Sequence, residues 1–206
     1  MNTTSPALAL TSVTLEVSDL PAARAFYAAF GVDHLVRLRA SDAPSEGFRG
    51  FTLALTVARP GSVDAFVEAA VTAGAAVVKP ARKSLWGYGA VVQAPDGTLW
   101  KIATSEKKHT GPASREIDAV VLLLGVADVK ATRKFYAELG LGVERSFGGK
   151  YAEFAGGDAS PVKLALYQRG GLAKDLGTPA DGSGSHRLAI GCATGPFTDP
   201  DGFTWE

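Results

Sequence analysis

The chain has 206 residues, enough for one large domain or two small ones. Its 21 Lys and Arg balance 21 Asp and Glu, so the net charge is zero and the electrostatic drive toward nucleic acid or an anionic membrane is missing. Hydrophobic residues at 46% can supply a real core, and a single cysteine, Cys192, excludes an internal disulfide framework or a thiolate-built zinc site. Met1 to Thr11 carries no Lys or Arg, which argues against a signal peptide. The longest apolar run, Ala119 to Leu124, is far below the roughly 20 residues that span a bilayer. A cytoplasmic protein without a membrane partner is the expectation.

The first predicted strand ends at Val17, with Leu15 and Val17 alternating with Thr14 and Glu16. Asp19 is placed to cap a helix whose apolar residues, Leu20, Ala23, Phe26, Tyr27 and Phe30, recur at helical spacing before Gly31. A strand is expected at Phe51–Val57, a helix at about Ser62–Ala73 ended by Gly74, and a strand at Ala75–Val78. Strands at Tyr88–Gln93 and Thr98–Thr104 flank the turn Pro95-Asp96-Gly97. A polar linker, Glu106–Ser114, follows.

The opening pattern then repeats. VSDLPAARAFYAAFGV, from Val17, and VADVKATRKFYAELGL, which starts 109 residues later at Val126, agree at 8 of 16 positions. APDGTLWK, from Ala94, is echoed by DPDGFTWE, from Asp199. The halves therefore run from about 9 to 105 and from 115 to 206. In the second half a continuously apolar strand, Ala119–Val126, precedes the helix capped by Asp128, and its apolar character predicts burial on both faces. Strands follow at Val143–Phe147, Tyr151–Phe154 and Lys163–Tyr167. Arg169–Ser185, rich in Gly, Pro and Ser, reads as a long loop. His186–Cys192 and Phe203–Glu206 read as strands, with Cys192 a buried, inert thiol.

A strand, an Asp-capped helix ending in FYxxxG, and a distant PDGxxW strand together resemble the vicinal oxygen chelate superfamily of glyoxalase I, bleomycin-resistance proteins and extradiol dioxygenases. The resemblance covers nearly the whole chain. It implies an α+β fold of tandem βαβββ modules whose mixed sheets form a cup. Two modules are complete, at about Arg49–Thr104 and Ile117–Tyr167. The module at the start lacks two strands, and the one at the end lacks a helix and a strand.

Members of this group that do chemistry usually hold a divalent metal (Mn, Fe, Ni or Zn) on His and Glu in the cup. The resemblance places those ligand positions here on Ser12 and Val121, seven residues before each cap, and on Lys101 and Glu206 in the PDG strands. Only Glu206 keeps the usual residue type. His186 could join it, although strand alternation puts Arg187, rather than His186, on the inward face. No metal cofactor is therefore expected. A Lys101–Glu206 ion pair in place of the metal is a further expectation.

What remains is a cavity for a small hydrophobic molecule. Its expected lining is Trp86, Tyr88, Trp100 and Lys101 from the first half, and Phe147, Tyr151, Tyr167 and Arg187 from the second. Gly87 and Gly89 place Trp86 and Tyr88 in a loop rather than a packed strand. The leading expectation is ligand binding of the antibiotic-resistance kind. A metal-dependent lyase or dioxygenase, and a regulatory scaffold with a filled cup, are the alternatives. Missing strands would leave exposed sheet edges that a second copy could cover, so a homodimer is expected.

Overall fold

The computed structural model describes residues 7–157 and 159–206; the first six residues of the uncharged Met1–Thr11 stretch lie outside them. The chain opens with β1 (Leu10–Val17), α1 (Leu20–Phe30), β2 (Arg37–Ala40) and the short β3 (Ser45–Gly47). Next come β4 (Phe51–Thr56), α2 (Pro60–Thr72), β5 (Ala76–Ser84), β6 (Gly87–Gln93) and β7 (Leu99–Thr104). The same order recurs in β8 (Ala119–Val126), α3 (Val129–Glu138), β9 (Val143–Phe147), β10 (Tyr151–Phe154) and β11 (Val162–Gln168). Then follow α4 (Arg169–Leu176), β12 (Gly182–Gly184), β13 (Leu188–Cys192), β14 (Phe197–Thr198) and β15 (Thr204–Trp205). Among the described residues no helix is long and apolar enough to cross a membrane.

The two predicted caps form. Asp19 accepts from the amide of Ala22 at 2.9 Å, and Asp128 accepts from the amides of Lys130 and Ala131 at 2.8 and 3.1 Å. Each such cap contributes about 1 kcal/mol by satisfying first-turn amides that the helix itself cannot pair. Gly31 closes α1 in the left-handed conformation, φ +82°.

The two complete modules form one eight-stranded sheet, ordered β5-β6-β7-β4-β8-β11-β10-β9. The antiparallel pair β4–β8 joins them at the centre, with Leu53 opposite Leu122. The trimmed modules pool their strands into a five-stranded sheet, β14-β15-β13-β1-β2, in which β1 runs antiparallel to β13. Each sheet thus draws strands from both halves of the chain. Cys192 stands at the end of β13 and is only partly buried, with Gly195 O 3.4 Å from its sulfur. The expectation of a buried thiol is corrected because β13 ends at this residue.

The repeated motifs tie the sheets together. Tyr27 of α1 donates to Asp96 Oδ2 at 2.7 Å, in the turn before β7, and its ring lies 5.9 Å from that of Trp100. Tyr136 of α3 donates to Asp199 Oδ2 at 2.5 Å, ahead of β15, with the rings of Tyr136 and Trp205 5.4 Å apart. Each FY helix therefore docks on the PDGxxW strand of the other sheet. The side chains Leu15, Tyr27, Phe30, Phe66, Trp100, Leu122, Tyr136 and Trp205 are fully buried in this one core.

A second, smaller core lies on the opposite face of the eight-stranded sheet. Residues 169–176, expected as loop, form α4, whose Leu172, Ala173 and Leu176 pack on Leu123, Ala165, Val91 and Leu99. A helix of eight residues with two glycines is unstable alone. Burial of its two leucines, about 1.5–3 kcal/mol each, is what holds it. As predicted, β8 is buried on both faces, with Leu122 and Leu124 in the larger core and Leu123 in the smaller.

Candidate functional site

Strand alternation decides which predicted site residues can meet. On β6, Ala90 and Val92 join the core shared with the helices, whereas Val91 joins the α4 face. Tyr88 has the parity of Ala90, so its ring turns away from α4. It packs on the helix-side core, and its hydroxyl donates to Asp64 Oδ1 of α2 at 2.8 Å. Burial first, and then the Asp64 hydrogen bond, push its phenol pKa up. Tyr88 nevertheless lines the cleft described below, as expected. On β7, Leu99 faces α4 and Trp100 faces the helices, where it is fully buried against Tyr27 and Phe30. Trp100 is core, not lining. Adjacent residues of one strand cannot both face one cavity, so Trp100 and Lys101 were distinguishable from alternation alone.

The remaining residues of the α4 face form a cleft of about 190 Å³ beside the C-terminal end of α4. Gly89, Val91 and Ala103 line it along β6 and β7, Lys79 and Arg82 along β5, and Trp86 at the β5–β6 turn. Lys79 stands opposite Val91 and Arg82 opposite Gly89 in the β5–β6 register. Lys101 and Asp175 close the inner end. Gly89 and Ala103 leave the sheet face low here, and a Cβ on Gly89 would crowd the Ile102 carbonyl oxygen at 2.9 Å.

Gly87 shapes the rim. Its φ is +140°, and a Cβ there would run into the carbonyl oxygen of Thr104. Gly87→Ala should therefore cost about 1–3 kcal/mol from a strained backbone conformation and shift the β5–β6 turn that carries Trp86. Equilibrium urea unfolding checks this, and an unchanged midpoint would refute it.

The electrostatics centre on α4. Lys101 donates to Asp175 Oδ2 at 2.5 Å, and Lys79 donates to the Asp175 carbonyl oxygen at 2.6 Å. Both cations complement the negative end of the helix. The side chains of Lys101 and Asp175 are 31% and 37% exposed, so the pair contributes at most about 1 kcal/mol.

The expected Lys101–Glu206 pair does not form. The two strands belong to different sheets, and Glu206 is held by Arg39, which donates to its Oε1 and Oε2 at 2.9 and 2.8 Å and to Glu16 at 2.8 Å. These contacts raise the Arg39 pKa, hydrogen bonding to Glu206 being the largest cause. His186 is also committed. Its Nδ1 lies 2.5 Å from the carbonyl oxygen of Arg49, its Nε2 lies 3.2 Å from that of Asp201, and its ring stacks on Phe203.

The positions that the resemblance assigns to a metal thus hold Ser12, Val121, Lys101 and a Glu206 already neutralised by Arg39. Among the described residues no group of three His, Cys, Asp or Glu converges. This donor set does not fit a divalent ion.

Arg187 lies at the entry to β13, in the other sheet, and its guanidinium binds the carbonyl oxygen of Ser41. Its φ of +54° breaks the strand alternation from which its inward direction was expected. Tyr151 and Tyr167 do face α4 but stand on β10 and β11, away from the Trp86 cleft, with their rings 6.0 Å apart. Burial, followed by the nearby Glu153 carboxylate, raises the Tyr151 phenol pKa. Phe147 sits at the β9 edge, 62% exposed. The structure therefore brings Trp86, Tyr88 and Lys101 together and adds Lys79, Arg82 and Asp175. Of these, Asp175 was unreadable without the helix that carries it.

No family model matches the sequence, and no curated protein does. Solved structures do match. Glyoxalase I from Zea mays superposes with a TM-score of 0.60 at 16% identity, over 96% of this chain and 91% of that one. A Bacillus subtilis protein solved as a candidate dioxygenase superposes with a TM-score of 0.54 at 11% identity, over 91% and 71%. At such identities the likeness is one of fold, and it agrees with the paired modules and the FYxxxG and PDGxxW motifs. The chain has a fold of paired βαβββ modules like that of glyoxalase I.

Proposed function

We propose that this protein binds a small organic molecule in the cleft between β5–β7 and the end of α4, without a metal. The observation that carries the reading is the bare floor of Gly89 and Ala103 between the exposed Trp86 and the Lys101–Asp175 pair. An apolar floor with a few convergent polar groups suits a small ligand. The volume of about 190 Å³ is below that usual for drug-sized ligands, so the ligand is a compact, single-ring molecule. Because α4 covers the sheet face opposite the larger core, binding at the flank of α4 is favoured over binding beneath it.

Tryptophan fluorescence gives the test. Trp86 is 84% exposed while Trp100 and Trp205 are fully buried, so acrylamide quenching reports on Trp86. Single-ring compounds that bind should reduce that quenching by at least half at saturation, and Trp86→Phe should abolish the signal. A library in which no compound protects Trp86 would leave the filled-cup scaffold as the reading. Protection that appears only with added Mn, Fe, Ni or Zn would favour the metal-dependent alternative.

A further inference from the structure

The cleft carries an imbalance of charge that the chain as a whole does not. Its lining has three cations, Lys79, Arg82 and Lys101, against one carboxylate, Asp175, in a protein of zero net charge. Arg82 is exposed on β5 and makes no ion pair among the described residues. Lys79 and Lys101 each spend one hydrogen bond on Asp175, and an ammonium group has three donors. The cations therefore keep donors for a second acceptor. Because the Lys101–Asp175 pair is about one third exposed and weakly held, an incoming acid can share Lys101 or replace Asp175 on it.

From this we infer that the ligand is an organic anion, a single-ring carboxylic acid, an inference that rests on the small-molecule reading above. Its acidic group is received by Lys101 and Arg82, and its apolar body lies on Gly89 and Ala103 beside Trp86. Asp175 acts as the internal counter-charge that the ligand's carboxylate joins or displaces. Removing the Asp175 charge therefore improves binding instead of impairing it.

The experiment pairs each acid with its neutral amide. Benzoate with benzamide, and phenylacetate with phenylacetamide, are titrated into the full chain by calorimetry and by protein-observed NMR. The acids are expected to bind about ten-fold more tightly than the amides, a gap that narrows as salt rises. Arg82→Gln and Lys101→Met should each weaken acid binding about three- to five-fold and weaken amide binding less. Asp175→Asn should strengthen acid binding by a similar factor. Arg82 is exposed, so its variant remains informative even if Lys101→Met fails to fold. Equal affinity for acid and amide would overturn the anion assignment and leave small-molecule binding standing. If neither class binds the wild type or Asp175→Asn, both readings fall.

Discussion

Trp100→Ala is expected to destabilise the protein by about 3–5 kcal/mol, the range for deleting a large buried aromatic. Trp100 is fully buried, its ring 5.4 Å from that of Phe30 and 5.9 Å from that of Tyr27, and so it joins α1 to β7. No neighbour can collapse into the gap without shifting a helix. For a chain of this length such a loss lowers Tm by roughly 10 °C or more, and differential scanning calorimetry reads it directly. Trp100→Phe should cost much less. The smaller ring keeps aromatic contact with Phe30 and Tyr27 and gives up only part of the buried volume. Ligand protection of Trp86 should survive Trp100→Phe, since Trp100 faces away from the cleft. Loss of that protection in a folded variant would return Trp100 to the binding site.

Asp199→Ala should cost about 2–4 kcal/mol, because one carboxylate satisfies several buried groups at once. Its Oδ2 accepts from Tyr136, and its Oδ1 accepts from the amides of Asp201 and Phe203 at 3.0 and 2.8 Å. Trp205 Nε1 donates in turn to the Tyr136 hydroxyl at 3.1 Å. Removing the carboxylate strands these donors between α3 and β15, one of the two repeated contacts that join the sheets. Chemical denaturation of the variant checks the magnitude, and a loss below 1 kcal/mol would show that the network is not structural.

The same residue sets a pH dependence of definite sign. Burial, the largest cause, raises the Asp199 pKa above its ordinary value, against the lowering effect of its hydrogen bonds. The folded state then binds this proton more tightly than the unfolded state, so the contribution of Asp199 to stability falls as pH rises through its folded pKa. Asp199→Asn removes that titration. The stability of wild type minus that of Asp199→Asn should therefore decline as pH rises from the unfolded carboxylate range through the raised folded value. A difference that grows with pH would contradict the assignment.

Local signals in the chain were enough for the elements that depend on local physics. Asp19 and Asp128 cap helices because their carboxylates reach amides only two or three residues away. Gly31 ends α1 because it tolerates a positive φ. The two complete modules were readable because each strand and helix carries its own periodicity. The repeated FYxxxG and PDGxxW motifs announced a duplicated architecture. Their meaning, each helix docking on the strand of the opposite sheet, waited for the fold.

Tertiary structure decided the rest. The sequence RGGLAKDL of α4 has two glycines and too few apolar residues to show a helical period, and only the sheet face beneath it makes it a helix. Without α4, the partner of Lys101 could not be anticipated. Along β6, small or apolar residues occupy both faces from Ala90 to Val92, so alternation could not say which way Tyr88 points until the neighbouring layers were in place. The five-stranded sheet pairs β1 with β13, near opposite ends of the chain, a contact that no local pattern encodes. Sequence by itself determined the modules, the caps and the turn chemistry, because these rest on contacts within a few residues. The two sheets, the helix packed on one face and the charge-lined cleft beside it required long-range packing, which exists only once the chain is folded.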